Sequence, residues 1–520
     1  MSHWATAPLD RNQVALFSPT LDATIDGDHP VRLFDEVLGG IDFSEWEARY
    51  LRGVGQPPIH PRTMAGCILY GMTLGIRSSR KLEESALNRL DFMWLLQGRT
   101  PDHATICKFR TQFGDPLKAL FRKVGRVAIA MGMASLNQVT LDGTALRASN
   151  SRFNTARRTS LERKLAAMDL QVDAAMKQAA EQDQADDALY GQETSPVKLP
   201  RGLKDLKRRQ ERLKEAMKNR SAMERDRAGR GDRKDISAKG PAVPLADPDA
   251  RVLPNKEGGY APNYTAVLAV DSGHGIILDT QILGGNDEPS TVLSAVVNLQ
   301  ESFGQKPARI VADSGFNTGP NLTALEEQQV EPLMPAKQRF DANPALRQEA
   351  CQPVPEKDRA ALPMNPQNKI LDKSTFLYDA VKDQYACPMG QVLFRVKNKP
   401  YDRHGVKGSY QMYECAPSCC ADCPLAKQCR PKQAASRRVS RDEHEAARER
   451  MAARMKTAEG QKQYKRRAWS AETPFAVMKS TMNFRRFLLR GLAKAGLELR
   501  WTALVYNLRK IMRFKRTAMA

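Results

Sequence analysis

The sequence predicts a mixed α/β core joined to a helical N-terminal part. Three observations carry that prediction. Short period-two strands recur in mid-chain with helical stretches between them, the pattern of an α/β domain. Residues 1–135 instead carry apolar residues at helical spacing. Two stretches interrupt the α/β core assigned to 136–345 and 436–520: a highly charged one at 156–240 and a Cys-rich one at 346–435.

Composition narrows the partner. Across 520 residues, 81 Lys and Arg oppose 59 Asp and Glu, a net charge of +22 with a sequence pI near 9.6. Such a balance favours a polyanion, and nucleic acid is the commonest one; a solvated basic surface is the plain alternative. The opening "MSHWATAPLDRNQ" lacks a basic start followed by an apolar run, and no window has the apolar length of a membrane span. No membrane partner and a cytoplasmic location are therefore expected.

In the N-terminal part, a Gly-centred turn near Gly75 separates helical runs, with Arg77, Arg80 and Lys81 expected on exposed faces. Short helices joined by tight turns suit a helix-turn-helix-like DNA reader and a plain helical domain equally. "NQVTLDGTAL" reads as a strand ending at Asp142. "YTAVLAVDSGHGIILDTQIL" reads as a hairpin folded about Ser272–Gly275, and "PARIVADSGF" as a buried strand ending at Asp313. In 156–240, Leu, Ala and Met recur at helical spacing among i,i+4 charges, which predicts an exposed helical pair, a short antiparallel coiled coil. The tail from about 436 reads as helical and basic.

Three carboxylates stand out. Asp142 and Asp313 each end an apolar strand and precede small or turn residues, "DGTA" and "DSGFNT". A turn-initiating or helix-capping Asp is the common reading of either one alone. Glu472 is the single acid among nine Lys or Arg between Gly460 and Leu497. Metal-dependent cleavage of a phosphodiester gives the three a common purpose. It needs two divalent ions about 3.5–4 Å apart, held by a few carboxylates inside a positive field.

The order Asp…Asp…Glu, with "TLDGT", "IVADSGFNTGPNL" and "YKRRAWSAETPFAVMK", resembles the DDE transposases of bacterial insertion sequences. "NFRRFLLRGLAKAGLELRWTALVYNLRKI" is similar to that family's trailing helices, and "PPIHPRTMAGCILYG" and "PDHATICKFR" to its helical N-terminal domain. The resemblance spans nearly the whole chain. It implies an RNase H-like core in which Asp142, Asp313 and Glu472 bind two Mg²⁺ (or Mn²⁺) ions. It also implies that Tyr464, Arg467 and Lys479 contact double-stranded DNA at the element end. The N-terminal helices would recognise terminal inverted repeats, and pairing of two ends implies a homo-oligomer acting on target DNA in the nucleoid. The family often has Pro directly after the Glu, whereas this chain reads Glu472-Thr473-Pro474. Pro suits a helix's first turn, which predicts Thr473 as the cap with Glu472 just before the helix. A domesticated or inactive, zinc-containing DNA-binding protein is the alternative reading.

Six of the nine Cys fall between Cys387 and Cys429, which suggests metal binding rather than a disulfide framework. Cys420-x₂-Cys423 has the spacing of a Zn²⁺ loop, and Cys387 and Cys429 complete a set of four. Cys415 or Cys419 could replace one of them, and reduced, unligated thiols are the plain alternative. A structural zinc would staple an insertion expected to be too small for its own core. Arg485, Arg486 and Arg490 read as the phosphate-contacting face of a helix. Asp271 and Asp279 read as turn and edge polarity, and His29, His60 and His103 as capping or surface residues.

Overall fold

Among the described residues, seven α-helices precede the first strand: α1 (Pro30–Gly39), α2 (Ser44–Glu47), α3 (Pro61–Thr73), α4 (Ser79–Asn88), α5 (Leu90–Leu96), α6 (His103–Gln112) and α7 (Gly114–Ala130). The computed structural model describes residues 20–50, 57–190, 201–229, 240–255, 258–336, 351–365, 367–403 and 406–519; the N-terminal opening segment and the junction near 345 lie outside them. His29 and His60 cap α1 and α3. Each Nδ1 accepts a backbone N–H two residues on, from Val31 at 3.2 Å and Arg62 at 3.1 Å, ahead of a Pro at the first helical position. His103 instead pairs with Glu83 on the surface. The turn between α3 and α4 uses Gly75 at φ +75°, a left-handed conformation that favours glycine.

Strand β1 (Gln138–Arg147) follows, then a two-stranded neck of β2 (Thr155–Ala156) and β3 (Val243–Pro244). From this neck project α8 (Arg158–Tyr190) and α9 (Arg201–Gly229), the expected charged helical pair. Leu161, Leu213, Ala216 and Met223 form a small core between them and the neck. Next come β4 (Arg251–Pro254), β5 (Tyr260–Asp271), β6 (Ile277–Leu283), α10 (Thr291–Phe303), β7 (Arg309–Val311), α11 (Gly319–Glu327) and β8 (Glu331–Leu333). The main sheet runs β4-β5-β1-β7-β8, with β6 also on β5. Strands β6, β5 and β1 form an antiparallel meander, and α10 carries the chain back to β7, which lies parallel to β1. That order is the RNase H-like mixed sheet the resemblance implies.

The Cys-rich stretch departs from expectation. It folds as a five-stranded antiparallel sheet of β9 (Leu377–Asp379), β10 (Gln384–Ala386), β11 (Val392–Arg403), β12 (Val406–Glu414) and β13 (Arg438–Asp442), with short helices α12 (Pro417–Ala421) and α13 (Ala426–Cys429). Phe376, Tyr385, Leu393, Tyr413 and Val439 fill its own core, so apolar packing contributes there as well as any staple. The tail begins with β13 of this sheet and only then turns helical, through α14 (Glu445–Lys456), α15 (Ala458–Ser480) and α16 (Leu492–Met519).

One apolar core joins the N-terminal helices, the main sheet and α16. Trp46 of α2 stacks on Phe109 and Phe113 and meets Trp501 of α16 edge-on, with ring centroids 5.5, 4.9 and 5.9 Å away. Arg77 is buried in this seam rather than on an exposed face. Its Nη2 pairs with Glu498 Oε1 at 2.5 Å and with the Arg486 carbonyl at 2.8 Å. A buried guanidinium persists only when so many acceptors converge on it. No helix among the described residues is long and apolar enough to cross a membrane.

Candidate active site

Asp142 sits inside β1 rather than at its end. On one side β5 pairs with β1 from Val139 through Arg147, which prolongs the strand five residues past Asp142. On the other side β7 pairs with it only through Gln138–Thr140. From Leu141 to Leu146 that edge of β1 pairs with no strand among the described residues, and Asp142 lies at the opening, its side chain 18% exposed. Asp313 lies two residues beyond β7, at the same opening. Its Oδ1 accepts the Gly315 N–H at 2.7 Å, the turn-initiating contact of an ordinary strand-end Asp, which leaves Oδ2 to face outward from the turn.

Helix α15 crosses the face of β1 that carries Thr140, Asp142 and Thr144. Thr457 caps its start by accepting the Gly460 N–H at 3.0 Å. Ser470 Oγ meets Thr140 Oγ1 at 2.7 Å in a buried contact, and Lys479 Nζ donates to Thr144 Oγ1 at 2.8 Å. One turn before Ser470, Arg467 Nη2 lies 2.6 Å from Asp142 Oδ1 and 3.7 Å from Asp313 Oδ2. One guanidinium thus bridges two of the three acids singled out by the sequence.

Glu472 is placed differently from expectation. Helix α15 runs without a break from Ala458 to Ser480, so Glu472 is mid-helix, and Pro474 is an interior residue buried against the core rather than a first-turn one. The contacts of Ser470 and Lys479 on either side hold the helix together across the missing Pro474 N–H. Glu472 is exposed, one position round from the buried Ala471, and it shares the helix face of Lys479, seven residues on.

Asp142 and Asp313 supply carboxylate oxygens to a shared cation, the donor type that Mg²⁺ and Mn²⁺ prefer, and so they fit such an ion. Among the described residues, no three His, Cys, Asp or Glu side chains stand close enough to hold a metal together. The structure brings the two aspartates together and leaves Glu472 on the adjoining exposed surface.

The expected DNA contacts surround this opening unevenly. Tyr464 is partly buried against the main core. Arg485, Arg486 and Arg490 are exposed, but they lie in a non-helical connector, 481–491, and not on a helix. Phe484 and Phe487 point into the core between them, a spacing of three that looks helical in sequence. Arg490 Nε donates to the Ser149 carbonyl at 3.2 Å, and Arg486 bridges to Arg147 at the end of β1. The connector therefore meets β1 at its far end, five residues beyond Asp142.

Two acids turn out to be structural. Asp271 is buried and accepts the backbone N–H groups of Ser135, Leu136 and Gly273. Asp279 accepts from Gln281 and Asn298, and burial pushes its carboxyl above the ordinary range. Glu288 has no local signature in the sequence. Its carboxylate lies against Gly143, where an added Cβ would stand 2.6 Å from the carboxyl carbon. The only signal was a glycine directly after Asp142, easily taken for a turn residue.

In the second sheet, Cys387, Cys415, Cys419, Cys420, Cys423 and Cys429 line one small cavity. All six are reduced, and Cys415 Sγ lies 3.2 Å from Cys420 Sγ. Cys415 is therefore inside the cluster with Cys387, Cys420, Cys423 and Cys429. Thiols are the donor type Zn²⁺ prefers, although in this arrangement no three of the described cysteines converge closely enough to hold an ion together.

Residues 386–512 match the family model described as "Transposase DDE domain", and residues 19–112 match that described as "Transposase domain (DUF772)". No curated protein sequence matches. Among solved structures, the piggyBac transposase synaptic complex with hairpin DNA is similar at 10% identity, covering 94% of this chain and 75% of that one, with a TM-score of 0.29. A likeness that slight carries nothing further.

Proposed function

Because the chain belongs to the insertion-sequence DDE transposases, we propose that it cuts DNA at the ends of its own element and joins those ends to target DNA. The observation that carries this reading is the convergence of Asp142 and Asp313 on one cation at the open edge of β1. Divalent ions, once bound, would supply the acid chemistry that activates water and stabilises the leaving oxygen. Asp142, Asp313 and Glu472 would hold them, Glu472 from the exposed stripe of α15. Lys479, anchored on Thr144, presents a cation beside that stripe, and Arg485, Arg486 and Arg490 extend the positive surface along the end of β1. Hydrolysis at the end leaves a 3′-hydroxyl, whose attack on a target phosphodiester forms one P–O bond and breaks another. The N-terminal helices would read the terminal inverted repeats, and two copies would pair two ends. In the second sheet, four of the clustered thiols would hold a structural Zn²⁺.

The test is a supercoiled plasmid carrying the DNA that flanks the gene on both sides. Wild-type protein should nick or cut it with Mg²⁺ or Mn²⁺, and Asp142→Ala, Asp313→Ala and Glu472→Ala should not. Cleavage by those variants at the wild-type rate would refute the assignment. DNA affinity without cleavage in either metal would point to a DNA-binding protein lacking catalysis.

A further inference from the structure

Arg467 stands where a cation shared by Asp142 and Asp313 belongs. Its side chain is 16% exposed, its Nη2 meets both carboxylates, and its Nε is buried without a hydrogen-bond partner. The side chain is fully committed to the acids at one nitrogen and under-satisfied at another. Asp313, pinned at Oδ1 by the Gly315 N–H, keeps Oδ2 directed at the guanidinium.

A guanidinium and a divalent ion cannot both occupy this space. They compete for the same oxygens and repel each other at short range. A guanidinium has one other strong class of partner, the phosphate group, which it binds through paired N–H donors. Arg467 lies on the side of α15 that faces the opening where DNA would lie.

We propose that Arg467 is a resident counter-ion that couples DNA binding to metal loading, an inference that rests on the transposase reading above. Without DNA it neutralises Asp142 and Asp313 and weakens their hold on metal. When a DNA phosphate draws the guanidinium away, the two carboxylates become available as ligands. Linkage then requires the converse: metal strengthens DNA binding by the same factor that DNA strengthens metal binding. Arg467 is a positioning residue in this scheme, and the nuclease centre is disarmed until DNA is present.

The experiment measures Mn²⁺ affinity by electron paramagnetic resonance of the free ion, using full-length protein with and without a 40-base-pair duplex. For wild type, the duplex should tighten Mn²⁺ binding at least tenfold. Arg467→Gln should bind Mn²⁺ at least tenfold more tightly than wild type without DNA and gain little when the duplex is added. Arg467→Lys, which keeps the charge, should fall between them. An unchanged wild-type affinity on adding the duplex would overturn the proposal without reliance on any variant. So would an Arg467→Gln protein that binds Mn²⁺ no better than wild type. Asp142→Asn and Asp313→Asn separate the two levels of inference. If they abolish Mn²⁺ binding while Arg467→Gln leaves it unchanged, only the counter-ion role fails; if they leave it intact, the metal site itself fails.

Discussion

Replacing Arg77 by Ala removes one guanidinium from the seam between the N-terminal helices and the connector 481–491. The side chain is 6% exposed. It donates Nη1 to the Asn483 carbonyl at 2.7 Å and Nη2 to the Arg486 carbonyl at 2.8 Å and Glu498 Oε1 at 2.5 Å, and it lies 4.4 Å over the Phe484 ring. Glu498 keeps the Leu488 and Leu489 N–H donors at its other oxygen, but its buried charge loses its counter-charge. Breaking one side of such a pair costs about 3–5 kcal/mol. With an unfolding entropy of about 2.1 cal/mol/K per residue, a chain of this length would melt roughly 3–5 °C lower as one cooperative unit. Calorimetry or a circular-dichroism melt reads the shift. The double variant Arg77→Met, Glu498→Gln removes both charges and keeps the amide acceptor for Leu488 and Leu489, so it should recover more than half of the loss. A melting point within 1 °C of wild type for Arg77→Ala, or a double variant as unstable as the single, would refute the reasoning.

Further outcomes follow from other contacts. Thr457→Ala, which removes the cap of α15, should cost about 1 kcal/mol in urea unfolding, and Thr457→Ser should restore it. Gly75→Ala places a Cβ at φ +75° and 3.2 Å from the Thr481 carbonyl, and should cost about 1–2 kcal/mol by the same assay. Glu326 accepts from Arg450 and Arg454 of α14, and the Arg450 hydrogen bond holds its carboxyl below the ordinary range. A depressed folded value means that this stabilisation is present above the ordinary carboxylate range, about pH 4, and is lost as pH falls through the lower folded value. Hydrogen exchange in α14 should accelerate over that acid window in wild type and show no such step in Glu326→Gln. In the thiol cluster, burial pushes Cys415 and Cys429 up to about 12, so both carry protons at neutral pH without metal. Zinc uptake should then release protons and strengthen as pH rises, which calorimetry in buffers of different ionisation heat measures; uptake without proton release would refute thiolate ligation.

The elements that read clearly in the sequence are those whose pattern is local. The hairpin β5–β6 follows from two short apolar runs folded about a Gly-containing turn, and α8 and α9 follow from sustained helical periodicity. The second sheet is hidden because "VLFRVKNKPYDR" alternates only over Phe394–Lys397 before running into the polar "NKP", with a Pro that argues against a strand. The connector 481–491 mimicked a helix because Phe484 and Phe487 are buried by tertiary contacts rather than by a helical stripe. At the site, Asp142 and Asp313 were legible as acids on apolar strands. The position of Asp142 inside β1 was not, since strand length there is set by β5, more than a hundred residues away. The Arg467 bridge has no local signature at all; it exists only once α15 lies across the sheet.

That dependence has a consequence for timing. The ion pair between Asp142 and Arg467 spans 325 residues of chain, and the Arg77–Glu498 contact spans 421. At a synthesis rate of about 5–20 residues per second, roughly 15–65 s separate the emergence of β1 from that of α15. Loop closure over such distances comes late in folding. A nascent or prematurely terminated polypeptide ending before α15 therefore exposes aspartates but has neither Glu472 nor the cations of the connector. Under the transposase reading, breakage is then confined to chains in which α15 has emerged and packed across β1.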